Sequence, residues 1–371
     1  MLTPLLIVGI GVAAFVGFNI GGSSTGVAFG PAVGSSSIQK TAAAALMTVF
    51  ALLGGWTVGR NVIDTMGGEI VPATFFTLVA SVVILFFIGL ALLVSNLFGV
   101  PASTSMTAVG AIAGMGLARG ALNWEVMGRI VSWWLVAPVI AFWSCAMIGR
   151  YLFPYLDSWF DLDAATGLKA QFTQALVVAI GCYMAFSAGA SNVANAVAPL
   201  VGSGAISIDG GVLLAGGAIG LGAFTIARRT LDTVGNDLTD LPLLAALIVE
   251  VVSASLITFL SQIGIPASLA VSATMCIVGL GWGRASRTTR LREAAGNAVR
   301  GELDEEDESV ATDGSGSEPG AIAAIGDEDP DDVAARDLFD PSTTGRVIAL
   351  WILTPTIAAL ASYLVFAYVL V

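Results

Sequence analysis

Long apolar runs, interrupted in a few places by clusters of small polar residues, make up most of this 371-residue chain. The runs at 2–18, 74–97, 126–149, 242–263 and 346–371 each contain at most one charged residue. A helix needs about 20 such residues to cross a bilayer core, so the pattern predicts an all-α, polytopic membrane protein. The runs are too many and too long for a secretory leader, and 2–18 is read as a span that stays in place.

Two of the polar clusters are near-copies: "GGSSTGVAFGPAVGSSSI" at 21–38 and "GASNVANAVAPLVGSGAI" at 189–206. Irregular backbone at membrane depth survives only against protein or a watery cavity. Each cluster has an apolar lead-in, a Gly-rich centre and a proline (Pro31, Pro199), and is expected to be a discontinuous helix. The break would expose backbone groups beside Ser23, Ser24, Thr25, Ser191, Asn192 and Asn195. The alternative is close packing, in which small residues let helices approach. The glycines alone fit that alternative. The carboxamides of Asn192 and Asn195 are costly in lipid without a partner and favour a polar site, a helix–helix hydrogen bond being the plainer option.

A second pair of clusters, "GVPASTSMTAVGAIAGMGLARG" (99–120) and "GIPASLAVSATMCIVGLGWGRAS" (264–286), places Pro and Ser/Thr at a helix start. The apolar part after each start is short for a span, so a re-entrant hairpin is expected. A helix N-terminus inside the membrane aims unpaired N–H groups and the positive dipole end at an anion, with hydroxyls from Ser103, Thr104, Ser105 and Ser268. Ordinary N-capping is the other reading of those hydroxyls.

Matched blocks extend further. "AFGPAVGSSSI" (28–38) pairs with "AVAPLVGSGAI" (196–206), "RNVIDTMG" (60–67) with "RRTLDTVG" (228–235), and "GVPAS" with "GIPAS", at offsets of 168, 168 and 165. Near-constant spacing argues for duplication. The expected organisation is a first transmembrane repeat at 1–150, a linker at 151–170 and a second repeat at 171–371. Repeated halves are the usual build of secondary transporters, whose sites lie between the repeats near the midplane. The spacing leaves open whether the copies are inverted or parallel.

Composition agrees, with 56% hydrophobic residues, 11% charged and a mean hydropathy of +0.88, far from the usage of soluble domains. The net charge of −12 comes from one place: residues 301–340 hold fifteen acids and one Arg. Residues 284–345 are expected to form an acidic, largely disordered loop, and the five Arg at 284–300 put it on the cytoplasmic side. Thirteen Arg against only Lys40 and Lys169, with that loop, point to a salt-adapted, haloarchaeal-like source. Cys145, Cys182 and Cys276 fall in apolar runs and read as small buried hydrophobes. The chain has no His, which excludes His-ligated metals and His proton relays. Glu250 alone lies well inside a spanning run, so it is a candidate cation ligand or titrating group. Asp64 and Asp232 sit at apolar–polar boundaries and read as helix caps. No enzyme is expected, since no nucleophile has a candidate base, and no nucleic-acid partner or cofactor is expected.

These blocks resemble the inorganic phosphate transporter (PiT) family of permeases. "GASNVANAVAPLVG" is similar to that family's duplicated Gly-Ala-Asn-Asp-Val-Ala-Asn-Ala signature, and "GVPASTS" and "GIPAS" to its Pro-Val-Ser-Thr-Thr segments. The resemblance implies inverted repeats and a phosphate importer of the plasma membrane, driven by Na⁺ or H⁺ and often a homodimer. It implies an anion held at the hairpin tips (Ser103, Thr104, Ser105, Ser268). It implies cations held at the signature motifs (Ser23, Ser24, Thr25, Ser191, Asn192, Asn195), to which the position of Glu250 in its run adds a further candidate. The chain departs from the family in lacking both signature carboxylates, which Ser24 and Asn192 replace. A site of neutral oxygens binds Na⁺ more weakly and loses an acceptor for the proton of hydrogenphosphate, so sulfate is an alternative substrate. An anion channel with the same helix ends is a further alternative.

Overall fold

The computed structural model describes residues 3–97, 103–160, 167–226, 242–305 and 341–370. Among them the chain is helical, without strands. The helices are α1 (Pro4–Gly34), α2 (Lys40–Thr57), α3 (Gly59–Asp64), α4 (Leu78–Leu97), α5 (Thr104–Ala118), α6 (Trp124–Met147), α7 (Phe153–Phe160), α8 (Leu168–Gly202), α9 (Ile208–Thr225), α10 (Leu243–Gln262), α11 (Leu269–Glu305) and α12 (Pro341–Tyr368). One wide turn each, Thr65–Glu69 and Ile148–Leu152, prolongs α3 and α6. Among the described residues seven helical stretches, from α1, α2, α6 with α7, α8, α9, α10 and α12, are long and apolar enough to cross a membrane. Exposed Leu135, Val139, Ile352 and Leu360 on α6 and α12 suit contact with lipid tails, and exposed Trp124, Tyr155, Trp159 and Tyr368 suit the interface.

The expected discontinuities at 21–31 and 189–199 are corrected: α1 and α8 run unbroken through both clusters, for 31 and 35 residues. The glycines serve close crossings. A Cβ at Gly21 would lie 1.9 Å from the Ile219 carbonyl oxygen, and one at Gly189 would lie 2.1 Å from that of Ala51. Pro31 and Pro199 stand three residues before their helix ends, so each removes one N–H from the ladder only in the last turn and neither breaks its helix. The Ser23 hydroxyl donates to the Asn19 and Ile20 carbonyls and that of Thr25 to Gly21. These polar side chains are therefore satisfied without a break.

The interruptions fall instead between α4 and α5 and between α10 and α11. Helix starts recur at fixed offsets: α8 and α9 begin 168 residues after α1 and α2 plus or minus four, and α10 and α11 begin 165 after α4 and α5. Packing recurs with partners exchanged. α1 crosses α9 as α8 crosses α2, and α5 lies along α12 as α11 lies along α6. The crossing of Gly54 with the Phe186 carbonyl (1.9 Å from a built Cβ) is matched by Gly222 with that of Phe18 (2.1 Å). α1 and α8 are antiparallel, since Gly9 meets Leu200 while Gly181 meets Ala28 and Phe29.

Two further expectations are revised. α11 continues as helix to Glu305, through the first part of the segment expected to be a disordered loop. It is long where a short re-entrant arm was expected, because "GLGWGRASRTTRLREAAGNAVR" has no Pro to stop it. Asp64 is exposed and caps nothing, since the chain coils on through it into the wide turn. Asp232, the block at 228–235 and the acidic residues 306–340 lie outside the described residues.

Candidate functional site

The two interruptions converge on one face of α8. Ser103 opens α5 as its N-cap, its Oγ accepting from Met106 N at 3.3 Å, and Ser268 does the same for α11 toward Val271 N at 3.3 Å. Both serines are buried. Both hydroxyls thus make N-cap hydrogen bonds. The caps also fix the first turns, which carry the remaining hydroxyls to α8.

Thr104 Oγ1 donates to Asn192 Oδ1 at 2.7 Å. Asn195 Nδ2 lies 3.0 Å from the same oxygen, 3.3 Å from Thr104 Oγ1 and 3.1 Å from Ser105 Oγ. Ser105 and Ser191 share a hydrogen bond of 3.3 Å, and Ser191 Oγ donates to the Ala267 carbonyl at 2.7 Å, beside the α11 cap. Positions 191, 192 and 195 share a helix face by their spacing. The result is a buried knot of hydroxyls and carboxamides joining α5, α8 and the turn before α11. Asn195 Oδ1 is fully buried and has no hydrogen-bond partner among the described residues, an acceptor whose desolvation is uncompensated.

Beside the knot, Met106 of α5 and Ala267 and Ser268 of the turn line a small cavity walled by Trp133, Trp134 and Pro138 of α6. The tips of the two interrupted segments thus meet across one space.

Ser191, Asn192 and Asn195, expected with the cations, stand with Thr104 and Ser105, expected with the anion. Ser24 and Thr25 are buried in α1 and Ser23 is exposed. The antiparallel register sets these three at the depth of Met184 to Ser187. That stretch of α8 touches α10 through Ser253 Oγ with Met184 Sδ (3.9 Å) and Ser187 Oγ with the Ala254 carbonyl (3.0 Å). Glu250 stands three residues before Ser253 on α10, 4% exposed, twelve residues or ~18 Å of helix axis from the turn. Its Oε1 has no hydrogen-bond partner among the described residues. At the matching position 165 residues earlier stands Leu85, fully buried, so the carboxylate belongs to one half only.

Two residues that hold the turn before α11 escaped the sequence reading. Trp134 Nε1 donates to the Pro266 carbonyl and Asn61 Nδ2 to that of Gln262, each at 2.8 Å. A further repeated block carried the signal for the first: "WLVAPVIA" (134–141) against "WILTPTIA" (351–358), offset by 217 because the acidic segment intervenes.

Comparison with known proteins agrees with this architecture. The profile described as the phosphate transporter family matches residues 20–158 and 160–362. The sulfate permease CysP of Bacillus subtilis (strain 168) is 32% identical over 268 residues, 72% of this chain and 74% of its own. A permease of Helicobacter pylori (strain J99) named for phosphate is 26% identical over 78% of this chain and 70% of its own. A solved structure, the sodium-dependent phosphate transporter, shares the fold with a TM-score of 0.69 over 98% of both chains at 19% identity.

Proposed function

The chain belongs to the phosphate transporter family and is a multi-pass membrane transporter rather than an enzyme, and on that premise we propose that it imports a tetrahedral oxyanion, inorganic phosphate, across the plasma membrane on a gradient of Na⁺ or H⁺. The observation that carries the reading is the knot of Thr104, Ser105, Ser191, Asn192 and Asn195 at the tip of α5, in which the unpartnered Asn195 Oδ1, an acceptor, suits a cation or a donor rather than the anion itself. Hydroxyls and carboxamides hold a tetrahedral anion by several neutral donors, and the first turn of α5 adds free amides and the positive dipole end. Ser103 and Ser268 hold those ends in place. The cation reading divides into two places, with Asn192 and Asn195 near the anion and Glu250, Ser24 and Thr25 away from it. Recurring helix starts and exchanged packing partners support two copies related by a two-fold axis, so that one bundle rocking on the other would alternate access. The coupling ion, the inverted sense of the repeats, re-entrance of the α5 tip and a homodimer belong to this proposal.

One observation favours sulfate as a second reading. The knot has no carboxylate, so nothing charged takes up the proton that hydrogenphosphate carries and sulfate lacks. The similarity to a sulfate permease points the same way. Purified protein in liposomes, given labelled phosphate or labelled sulfate with and without Na⁺ or H⁺ gradients, tests both. Saturable, gradient-dependent uptake of phosphate is expected. Uptake of sulfate alone moves the conclusion to the second reading, and unsaturable flux with no gradient dependence rejects carriage in favour of a pore.

A further inference from the structure

The turn between α10 and α11 is held from three sides by side-chain donors on its own carbonyls. Asn61 of α3 takes Gln262, Trp134 of α6 takes Pro266 and Ser191 of α8 takes Ala267, at 2.8, 2.8 and 2.7 Å. An interrupted helix leaves such carbonyls without helical partners, and three separate helices supply them here. Within the turn Gly264 N donates to the Ser261 carbonyl and Ile265 N to that of Leu260. Gly264 adopts φ +73°, and a Cβ on it would lie 2.7 Å from Thr65 Oγ1, so the turn also rests against the wide turn at the end of α3. Its conformation is set by its neighbours as much as by its own sequence.

We propose that Trp134 and Asn61 are positioning residues for the oxyanion site. The inference rests on the transport reading above. Neither side chain needs to touch the ion. A peptide group is planar, so anchoring its C=O fixes the direction of the next N–H. Trp134 therefore orients the Ala267 amide and, through the next peptide, the Ser268 cap on which the first turn of α11 depends. The indole also walls the cavity where Ser268 meets Met106, so losing its N–H is felt where the two tips face each other. Asn61 anchors the other end of the turn, where α10 stops.

Trp134→Phe keeps an aromatic ring and removes the donor, and Asn61→Leu removes the donor on the opposite side. A neutral hydrogen bond of this kind shifts an equilibrium by roughly two- to tenfold. In reconstituted protein, amide exchange at 263–272 is expected to quicken by about that factor, while α1 and α9 keep their protection. The KM for whichever of phosphate or sulfate the parent carries is expected to rise by a similar factor, with kcat near the parent value. A packing role would instead lower the yield of folded protein and kcat and leave KM alone. Parent-like exchange at 263–272, or faster exchange with an unchanged KM, overturns the proposal. If Trp134→Phe does not fold, Asn61→Leu decides alone. A parent protein that takes up neither ion refutes the transport reading instead, and the exchange measurement still tests the anchoring.

Discussion

Asn192→Asp is the substitution that asks most of the site. Asn192 Oδ1 already accepts from Thr104 at 2.7 Å and from Asn195 at 3.0 Å, and a carboxylate oxygen accepts both bonds without moving. The side chain is 5% exposed, so the added charge stays largely desolvated. A negative charge about 5 Å from a dianion, at an effective dielectric of about 20, costs roughly 7 kcal/mol before any cation is counted. That cost falls equally on sulfate and on hydrogenphosphate, and so it cancels from their ratio. What does not cancel is the proton, which hydrogenphosphate can donate to the new carboxylate. A hydrogen bond to a charged group contributes about 1.5–3 kcal/mol, or roughly ten- to a hundredfold. The assay is inhibition of labelled phosphate uptake by unlabelled sulfate in liposomes. The variant is expected to need at least about tenfold more sulfate, relative to its own phosphate KM, and to depend more steeply on the coupling cation. A folded variant whose sulfate-to-phosphate ratio stays at the parent value would show that residue 192 does not face the ion.

The other perturbations probe separate parts of the same arrangement. Thr104→Ala removes the donor to Asn192 and an acceptor of Asn195, and is expected to raise the oxyanion KM several-fold with folded protein retained, about 1 kcal/mol for the lost bond; saturation curves in liposomes measure it, and an unchanged KM removes the α5 tip from the site. Glu250→Gln keeps the shape and removes the charge, so the Na⁺ and pH dependence of uptake should change; a parent-like profile reduces Glu250 to packing. Gly54→Ala puts a methyl 1.9 Å from the Phe186 carbonyl oxygen on α8. Forcing the α2 and α8 backbones apart costs about 1–3 kcal/mol or more, and thermal unfolding in detergent should show a lowered midpoint, whereas parent-like stability would mean that the crossing is looser than described.

The membrane class, the paired blocks and most site residues were legible in the sequence, because apolar length and repetition are properties of the chain alone. Which partner each residue meets was not legible. Ser191, Asn192 and Asn195 looked like one half of a cation pair with Ser23, Ser24 and Thr25, since the two clusters read alike. In the fold the α8 set meets the α5 tip, while the α1 hydroxyls of Ser23 and Thr25 turn back on their own helix. That difference arises in tertiary packing, where position 24 carries Ser and position 192 carries Asn. The hydroxyls of Ser23 and Thr25 are satisfied by carbonyls one turn back, whereas the carboxamides of Asn192 and Asn195 meet Thr104 and Ser105 at the α5 tip. Trp134 and Asn61 went unnoticed because a tryptophan in a spanning run looks like any other apolar residue until its N–H is seen on a carbonyl.

The chain stays helical through its Gly-rich clusters and breaks at 264–268 because of what each residue type removes. A glycine weakens a helix by about 1 kcal/mol but keeps its N–H, and here the loss is offset by the approach it allows: Gly21, Gly54, Gly189 and Gly222 each sit against a carbonyl of the crossing helix, close enough for backbone-to-backbone dispersion contacts. At 264–268 the combination is different. Gly264 takes a left-handed conformation that ends α10, Pro266 disfavours helix at the residue before it, and Ser268 caps the start of α11. Each of the three acts in the same direction, and the carbonyls they release find donors on α3, α6 and α8. A break so provided for depends on these neighbours being in place, since buried carbonyls need donors, which makes the second interruption the joint product of both halves of the chain.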